Sequence, residues 1–246
     1  TIADNIGRAN MPQERYNFYL GQVLTIRAWS YFYIIRNWGD APYIIHAEDV
    51  GERGRMAWQD IADAIIDDLK LAVGYLPRVN DLRDSEGRMI DSKQVPSRGT
   101  AFAIMAQVYA WKAALNNEPE LNKLAIAACD SVIDSGSYAL VGSIKDVCER
   151  VMLGNSEEGI FEIDYRNTED DLKSGGSYLA AFCQSWPIMP NRTPATKRRG
   201  LRLDNTTVYK MYPDKSDQRR EEYFYKLDSM AGVSTSITQG AAYVRK

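Results

Sequence analysis

The chain has 246 residues, 45% of them hydrophobic and 26% charged, which excludes disordered and fibrous proteins and allows a well-buried core. Its formal net charge of −3 provides no electrostatic field that would attract nucleic acid or an anionic membrane surface. A single histidine, His46, excludes a His-based catalytic triad and a metal centre built on several imidazoles.

The first part of the chain predicts four helices, because its apolar residues recur every three or four positions. The expected helices cover residues 13–38, 58–76, 97–115 and 120–135. Gly39 and Pro42 end the first, since glycine accepts a left-handed cap and proline cannot continue a helix. Alanine-rich helices joined by short breaks are typical of antiparallel hairpins. Ala106, Tyr109 and Ala128 also loosely match the packing positions of tetratricopeptide repeats.

The periodicity changes beyond Gly154. Apolar and charged residues alternate over residues 161–165, which predicts a short half-buried strand. Residues 167–200 are rich in glycine and proline and predict a long irregular loop, a feature that is usually functional in a compact protein. A short helix is expected within residues 203–212 and a loose segment over residues 229–239. The predicted fold class is mostly α: tetratricopeptide-like helical hairpins with a short β element and long irregular loops.

Four segments follow one another in an order and spacing that are more specific than any one of them alone. They are residues 27–32 running into 38–42, residues 61–77, residues 97–109 followed by 127–138, and residues 155–163. The first is similar to an arginine-alanine-aromatic helix that ends in an aromatic-Gly-Asp-Val-Pro turn, and the last to an Asn-x-Glu-x-Ile-Phe-Glu-Ile strand. Together they resemble the SusD/RagB family of outer-membrane nutrient-uptake lipoproteins.

The resemblance implies a single domain over residues 1–246, with helix pairs in residues 13–140 and a strand, long loops and a short helix in residues 155–246. It implies a non-catalytic subunit, without cofactor or metal, that binds a polysaccharide or oligosaccharide beside a SusC-like, TonB-dependent outer-membrane transporter. The expected place is the outward-facing surface of the outer membrane. The family's lipidated N-terminal cysteine is absent from this chain, and we interpret the chain as an internal fragment or a trimmed form of a longer, lipid-anchored protein.

The irregular residues 167–200 supply the candidate ligand-binding residues. A sugar is recognised by flat aromatic faces against its C–H side and by planar polar groups at its hydroxyls. We therefore expect Tyr178, Trp186, Asn191 and Arg192 to bind the ligand, with Trp186 stacked on a sugar ring. The alternative is that Trp186 anchors the loop to the core.

The other four tryptophans are expected to pack within the helices. They are Trp29, Trp38, Trp58 and Trp111. Adjacent acidic pairs, such as Asp67 and Asp68, diverge on a helix and make poor acid/base couples for glycoside hydrolysis. The basic residues 196–202 favour a solvated loop, with an acidic or sulfated glycan as the alternative partner, and the acidic residues 167–171 lack the spacing of a calcium loop.

Two other functions remain open at this stage. Tetratricopeptide grooves usually bind peptides, so a protein–protein or peptide-binding scaffold is the alternative to a glycan-binding subunit. A helical glycosidase with carboxylates spread along the chain is the third hypothesis.

Overall fold

The structure, a computed structural model, describes residues 2–46, 48, 51–163, 203–231 and 241–244. These residues fall into two compact units. The first is drawn from Thr1–Leu140 and Glu157–Ile163, and the second from Val141–Ser156 and Asp164–Lys246. The expectation of one domain over residues 1–246 stays a prediction.

The first unit is built from helices, and the four that the periodicity predicts are present. The four are α2 (Gln13–Trp38), α3 (Trp58–Tyr75), α4 (Arg98–Asn116) and α5 (Leu121–Ile133), and a short helix that was not predicted, α1 (Ile2–Asn5), precedes them. Short 3₁₀ turns follow α1 at Ile6–Arg8 and α3 at Val79–Asp81. The long helices α2 to α5 begin and end within two residues of the expected bounds, because apolar period and breaker residues agree at each end.

Helices α2 and α3 pack as an antiparallel pair. The early part of α2 lies against the end of α3, since a Cβ added at Gly21 would meet Leu76 Cγ at 2.9 Å. Further along α2, Arg27 reaches Asp68, and the segment after α2 contacts the start of α3. Glycine at position 21 therefore allows the two backbones to approach closely.

Helix α4 begins with a complete capping box. Ser97 accepts a hydrogen bond from the backbone N–H of Thr100, and the Thr100 side chain accepts one from the N–H of Ser97. The hydroxyls of Ser97 and Tyr138 lie 3.0 Å apart, so the segment after α5 is tied to the start of α4. Gly99 makes this contact possible, since a Cβ there would lie 2.3 Å from the Tyr138 hydroxyl.

One core runs through α2, α3 and α4. Its fully buried side chains are Ile35 in α2, Ile61, Ile65 and Leu69 in α3, and Val108 in α4, with Leu76 and Leu82 just after α3. This continuous apolar contact makes the first unit a stable base for residues on its surface.

The second unit consists of short elements. They are α6 (Ile144–Glu149), a 3₁₀ turn (Val151–Leu153), β1 (Leu203–Asp204), α7 (Asn205–Met211), α8 (Arg219–Glu222), α9 (Leu227–Ala231) and β2 (Ala241–Ala242). Strands β1 and β2 pair antiparallel, with Leu203 opposite Ala242. Val208, Phe224 and Leu227 form a small core beside this pair. The short helix expected within residues 203–212 is present as α7.

Two local predictions are wrong in the described residues. Residues 161–163 form no strand; instead, the backbone N–H of Glu162 donates to the Lys93 carbonyl at 3.0 Å, in the connection before α4. Residues 229–231, expected to be loose, belong to α9. Residues 164–165 and 232–239 lie outside the described residues. The predicted class, mostly α with helical hairpins and a short β element, is confirmed.

No helix within the described ranges is both long enough and apolar enough to cross a membrane.

Candidate functional site

The ligand-binding residues that the sequence predicts lie outside the described residues. Tyr178, Trp186, Asn191 and Arg192 all fall within residues 164–202. The acidic residues 167–171 and the basic residues 196–202 fall there too. Their roles stay predictions, and a candidate site must be built from the residues that the structure does describe.

The turn at residues 38–42 is shaped by three residues with structural roles. Gly39 has a φ of 70°, a conformation that favours glycine. Asp40 accepts a hydrogen bond from the backbone N–H of Trp58 at 2.9 Å and so caps the start of α3, where the N-cap residue Ala57 offers no side-chain acceptor. Ala41 is buried and exchanges two backbone hydrogen bonds with Met56.

Trp38, in the same turn, makes no comparable contribution to the fold. Its side chain is 67% exposed, and its ring contact is with Tyr33, at 6.2 Å between centroids. The expectation that Trp38 packs within the helices is wrong, because Trp38 is the last residue of α2 and most of its side chain is left exposed where the helix ends. A large exposed indole at the end of a firmly held helix is available to a ligand.

The other three tryptophans pack as expected. Trp29, Trp58 and Trp111 are partly buried against the core of the first unit. Trp58 and Trp111 meet edge to face, with ring centroids 4.6 Å apart. Trp111 also meets Phe32 edge to face at 5.8 Å.

Three aromatic rings follow one another along α2 and form what we call the aromatic stripe: the partly buried Trp29 and the exposed Tyr33 and Trp38. The Trp29 and Tyr33 centroids are 6.4 Å apart, and Tyr33 is 50% exposed. Consecutive rings at this spacing offer apolar surface to more than one sugar unit along a chain. The apolar period identifies the buried face of α2 and therefore did not reveal the stripe. Tyr33 falls outside the buried face, and this position was the signal in the sequence that its ring is exposed.

Polar groups lie at the same end of α2 as Trp38. Arg36 is exposed, and its guanidinium carbon lies 4.4 Å from the centroid of the Phe32 ring. Asn37 is also exposed and donates from Nδ2 to the Tyr33 carbonyl at 2.8 Å. A guanidinium and an amide next to an exposed indole are the groups that recognise sugar hydroxyls beside a stacked ring.

A paired charge on the side of α2 that faces α3 holds this helix in place. Arg27 donates to both carboxylate oxygens of Asp68, from Nε and from Nη2, each at 2.7 Å. The hydrogen bond to Asp68 raises the pKa of Arg27 further above its ordinary value. Nearby, burial raises the pKa of the Tyr43 hydroxyl, and the Asp68 charge adds to this. The bidentate pair fixes α2 on α3 and so fixes the direction of the aromatic stripe.

The neighbouring carboxylates Asp67 and Asp68 diverge, as their adjacency on a helix predicts. The Asp67 side chain is 73% exposed and pairs with Lys70, whereas that of Asp68 is 10% exposed and pairs with Arg27. They therefore cannot act together on one glycosidic bond. The single histidine, His46, is exposed, and its Nδ1 lies 2.8 Å from a carboxylate oxygen of Asp4.

Comparisons with known proteins agree with one another. The SusD-like_3 family, described as "Starch-binding associating with outer membrane", matches residues 1–110. SusD-like protein P2 of Formosa agariphila is 24% identical over an alignment 239 residues long, which covers 85% of this chain and 44% of that protein.

Two solved structures match nearly the whole chain in fold. A SusD homolog from Bacteroides thetaiotaomicron has a TM-score of 0.73 at 18% identity, over 99% of this chain and 50% of its own. A SusD superfamily protein from Bacteroides fragilis has a TM-score of 0.68 at 20% identity, over 99% of this chain and 51% of its own. The chain spans about half the length of these relatives. Together the matches confirm the resemblance that the sequence predicts: this chain is similar to SusD-like proteins in the sequence of residues 1–110 and in fold.

Proposed function

We propose that this chain is part of a non-catalytic subunit that binds a polysaccharide or oligosaccharide, and that the aromatic stripe is one of its contact surfaces. The observation that carries the proposal is the exposure of Trp38 within a turn whose other residues have structural roles. A residue that contributes little to the fold and presents a large aromatic face is suited to binding. The description of the matched family as starch-binding supports the same ligand class.

The four residues predicted from the sequence complete this proposal. Trp186 would add a stacking face, Tyr178 an aromatic ring with a hydroxyl, and Asn191 and Arg192 hydrogen-bond donors to sugar hydroxyls.

The place and the partner are also proposals. We infer a position on the outward-facing surface of the outer membrane, and the description of the matched family as associating with the outer membrane supports the choice of membrane. A SusC-like, TonB-dependent transporter would take up the glycan that the subunit captures. Co-purification of the full-length protein with its transporter from outer-membrane fractions tests this, and recovery of the protein without any transporter would contradict it.

The glycan-binding proposal is tested by affinity electrophoresis and calorimetry against maltooligosaccharides, amylopectin and a panel of other neutral polysaccharides. We expect binding to at least one glycan and a roughly fivefold to tenfold weaker affinity in Trp38→Ala, since stacking on one ring contributes about 1–1.5 kcal/mol. Ile126→Ala is the matched control, because Ile126 is another apolar helix residue with 59% exposure and lies in α5. Equal losses in both variants would show that the stripe is not a binding surface.

Product analysis of the same mixtures tests the non-catalytic role. We expect the bound glycan to be recovered at its original length after prolonged incubation. Release of shorter sugars that disappears when a single Asp or Glu is replaced would show that the protein is a glycosidase.

A further inference from the structure

A cavity in the first unit lies away from the aromatic stripe. It has a volume of about 440 Å³ and is bounded by the end of α3, the start of α4 and the end of α5 with the residues that follow. This volume falls within the roughly 300–1,000 Å³ of typical small-molecule sites. The residues of the stripe do not line it.

Two arginines face this cavity without a carboxylate partner among the described residues. Arg78 is exposed and lies three residues beyond the end of α3 at Tyr75, and Arg98 is the first residue of α4. Arg98 donates from Nε to the Leu76 carbonyl at 2.9 Å, which fixes the guanidinium and leaves its terminal nitrogens available. By contrast, Arg27 and Arg88 in the same unit are held in ion pairs.

The rest of the lining offers both apolar and polar contacts. Phe102 and Val73 provide an apolar wall, and Ser137 provides a hydroxyl. The acidic group among the lining residues is Asp134, at the end of α5. One carboxylate against two guanidinium groups leaves the cavity positively charged, although the chain as a whole carries a net charge of −3.

We propose that this cavity binds the anionic group of an acidic saccharide, a carboxylate or a sulfate ester, through Arg78 and Arg98, with Phe102 against the C–H face of the sugar. Planar guanidinium groups pair with such anions through two parallel hydrogen bonds. The inference rests on the proposed glycan binding and adds that the preferred glycan carries negative charge.

Calorimetry with matched charged and neutral probes tests the proposal. The carboxylate probe is trigalacturonate, and its neutral counterpart is the methyl ester of the same trisaccharide. The sulfate probe is a sulfated galactan oligosaccharide, compared with its desulfated form. We expect the wild-type protein to bind at least one charged probe about tenfold more tightly than its neutral counterpart. This preference should fall as salt is raised, because the exposed Arg78 is screened.

Three variants separate the cavity from general charge effects. Arg78→Gln should abolish the preference for the charged probe, and Asp134→Asn should increase it, since it removes the opposing carboxylate. Lys123→Gln removes the same positive charge from an exposed position on α5 and should leave the preference unchanged. Melting temperatures of all three should match the wild type, because Arg78, Lys123 and Asp134 are exposed.

The outcomes distinguish this inference from the proposed function. Binding of neutral glycans without any preference for the charged probes would overturn the cavity proposal and leave the glycan-binding role in place. Equal effects of Arg78→Gln and Lys123→Gln would also overturn it. Failure to bind any glycan, charged or neutral, would overturn both. A preference that Arg78→Gln abolishes and Lys123→Gln leaves intact would confirm the cavity proposal.

Discussion

The inner and outer faces of α2 both carry aromatic residues, but these residues have different roles on the two faces. On the inner face, Phe32 and Ile35 are buried and Arg27 is held by Asp68. Tyr33, outside that face, and Trp38, at the end of the helix, present their rings to solvent. Aromatic character therefore does not by itself assign a residue to the core or to a site; the face of the helix decides. Changes on the inner face should alter stability, and changes on the outer face should alter binding.

The largest expected loss of stability comes from a change on the inner face of α2. Asp68→Ala leaves the Arg27 guanidinium without its carboxylate, and we expect a loss of about 3 kcal/mol in the free energy of unfolding. Urea denaturation monitored by tryptophan fluorescence measures it. Asp67→Ala is the matched control, because Asp67 is an exposed neighbour paired with Lys70, and its loss should stay below about 1 kcal/mol. Similar losses in the two variants would show that the buried pair does not hold α2 on α3.

The next effect tests the close approach of α2 and α3. A methyl group at position 21 would meet Leu76 and Tyr75, so Gly21→Ala should destabilise the protein by about 1–3 kcal/mol. Gly74→Ala in α3 has no atom within 4 Å of its added methyl group and should stabilise by about 0.5–1 kcal/mol through helix propensity. Thermal unfolding of both variants measures the difference. Stabilisation by Gly21→Ala would mean that the helices do not need this contact.

Changes to the exposed rings should weaken glycan binding and leave the free energy of unfolding nearly unchanged. Tyr33→Ala is expected to weaken glycan binding by roughly threefold to fivefold, less than Trp38→Ala, since its ring is less exposed and lies between two others. Unfolding free energies of both variants should stay within about 0.5 kcal/mol of the wild type, as is usual for exposed positions. A large drop in melting temperature with unchanged affinity would show that these rings stabilise the fold and do not bind the glycan.

The smallest expected effect is a pH dependence near the Arg27–Asp68 pair. Burial raises the pKa of Tyr43 above the value of 10.0 that it has in an unfolded chain. The folded state therefore holds the phenol proton more tightly, so its contribution to stability is complete below about pH 10 and is lost as the pH rises through the folded-state pKa. Urea denaturation between pH 8 and 11 should show a shallower decline for Tyr43→Phe than for the wild type. Identical slopes of stability against pH in the two proteins would contradict the raised pKa of Tyr43.

The sequence predicts the helical frame well but did not identify the exposed rings of α2, for a physical reason. Helices such as α2 and α4 can be predicted because the apolar period, the capping residues and the helix breakers agree over many residues. Gly39 marks the end of α2, and Ser97 marks the start of α4. Trp38 could not be assigned this way, since it sits where the periodic pattern ends and its exposure depends on which element packs beside it. The strand expected at residues 161–165 fails similarly in residues 161–163: alternation marks a half-buried segment but does not supply a partner strand.

The hydrogen bonds of Asp40 and Ala41 determine how well the connection between α2 and α3 tolerates insertions. The Asp40–Trp58 contact and the Ala41–Met56 pair join the two ends of the connection between α2 and α3 at its base. Because the helices are held together at that base, extra residues inserted within the connection would add only loop-closure entropy, about 0.6 kcal/mol for each doubling of length. The connection can therefore diversify in length and composition among relatives while α2 and α3 keep their relative placement.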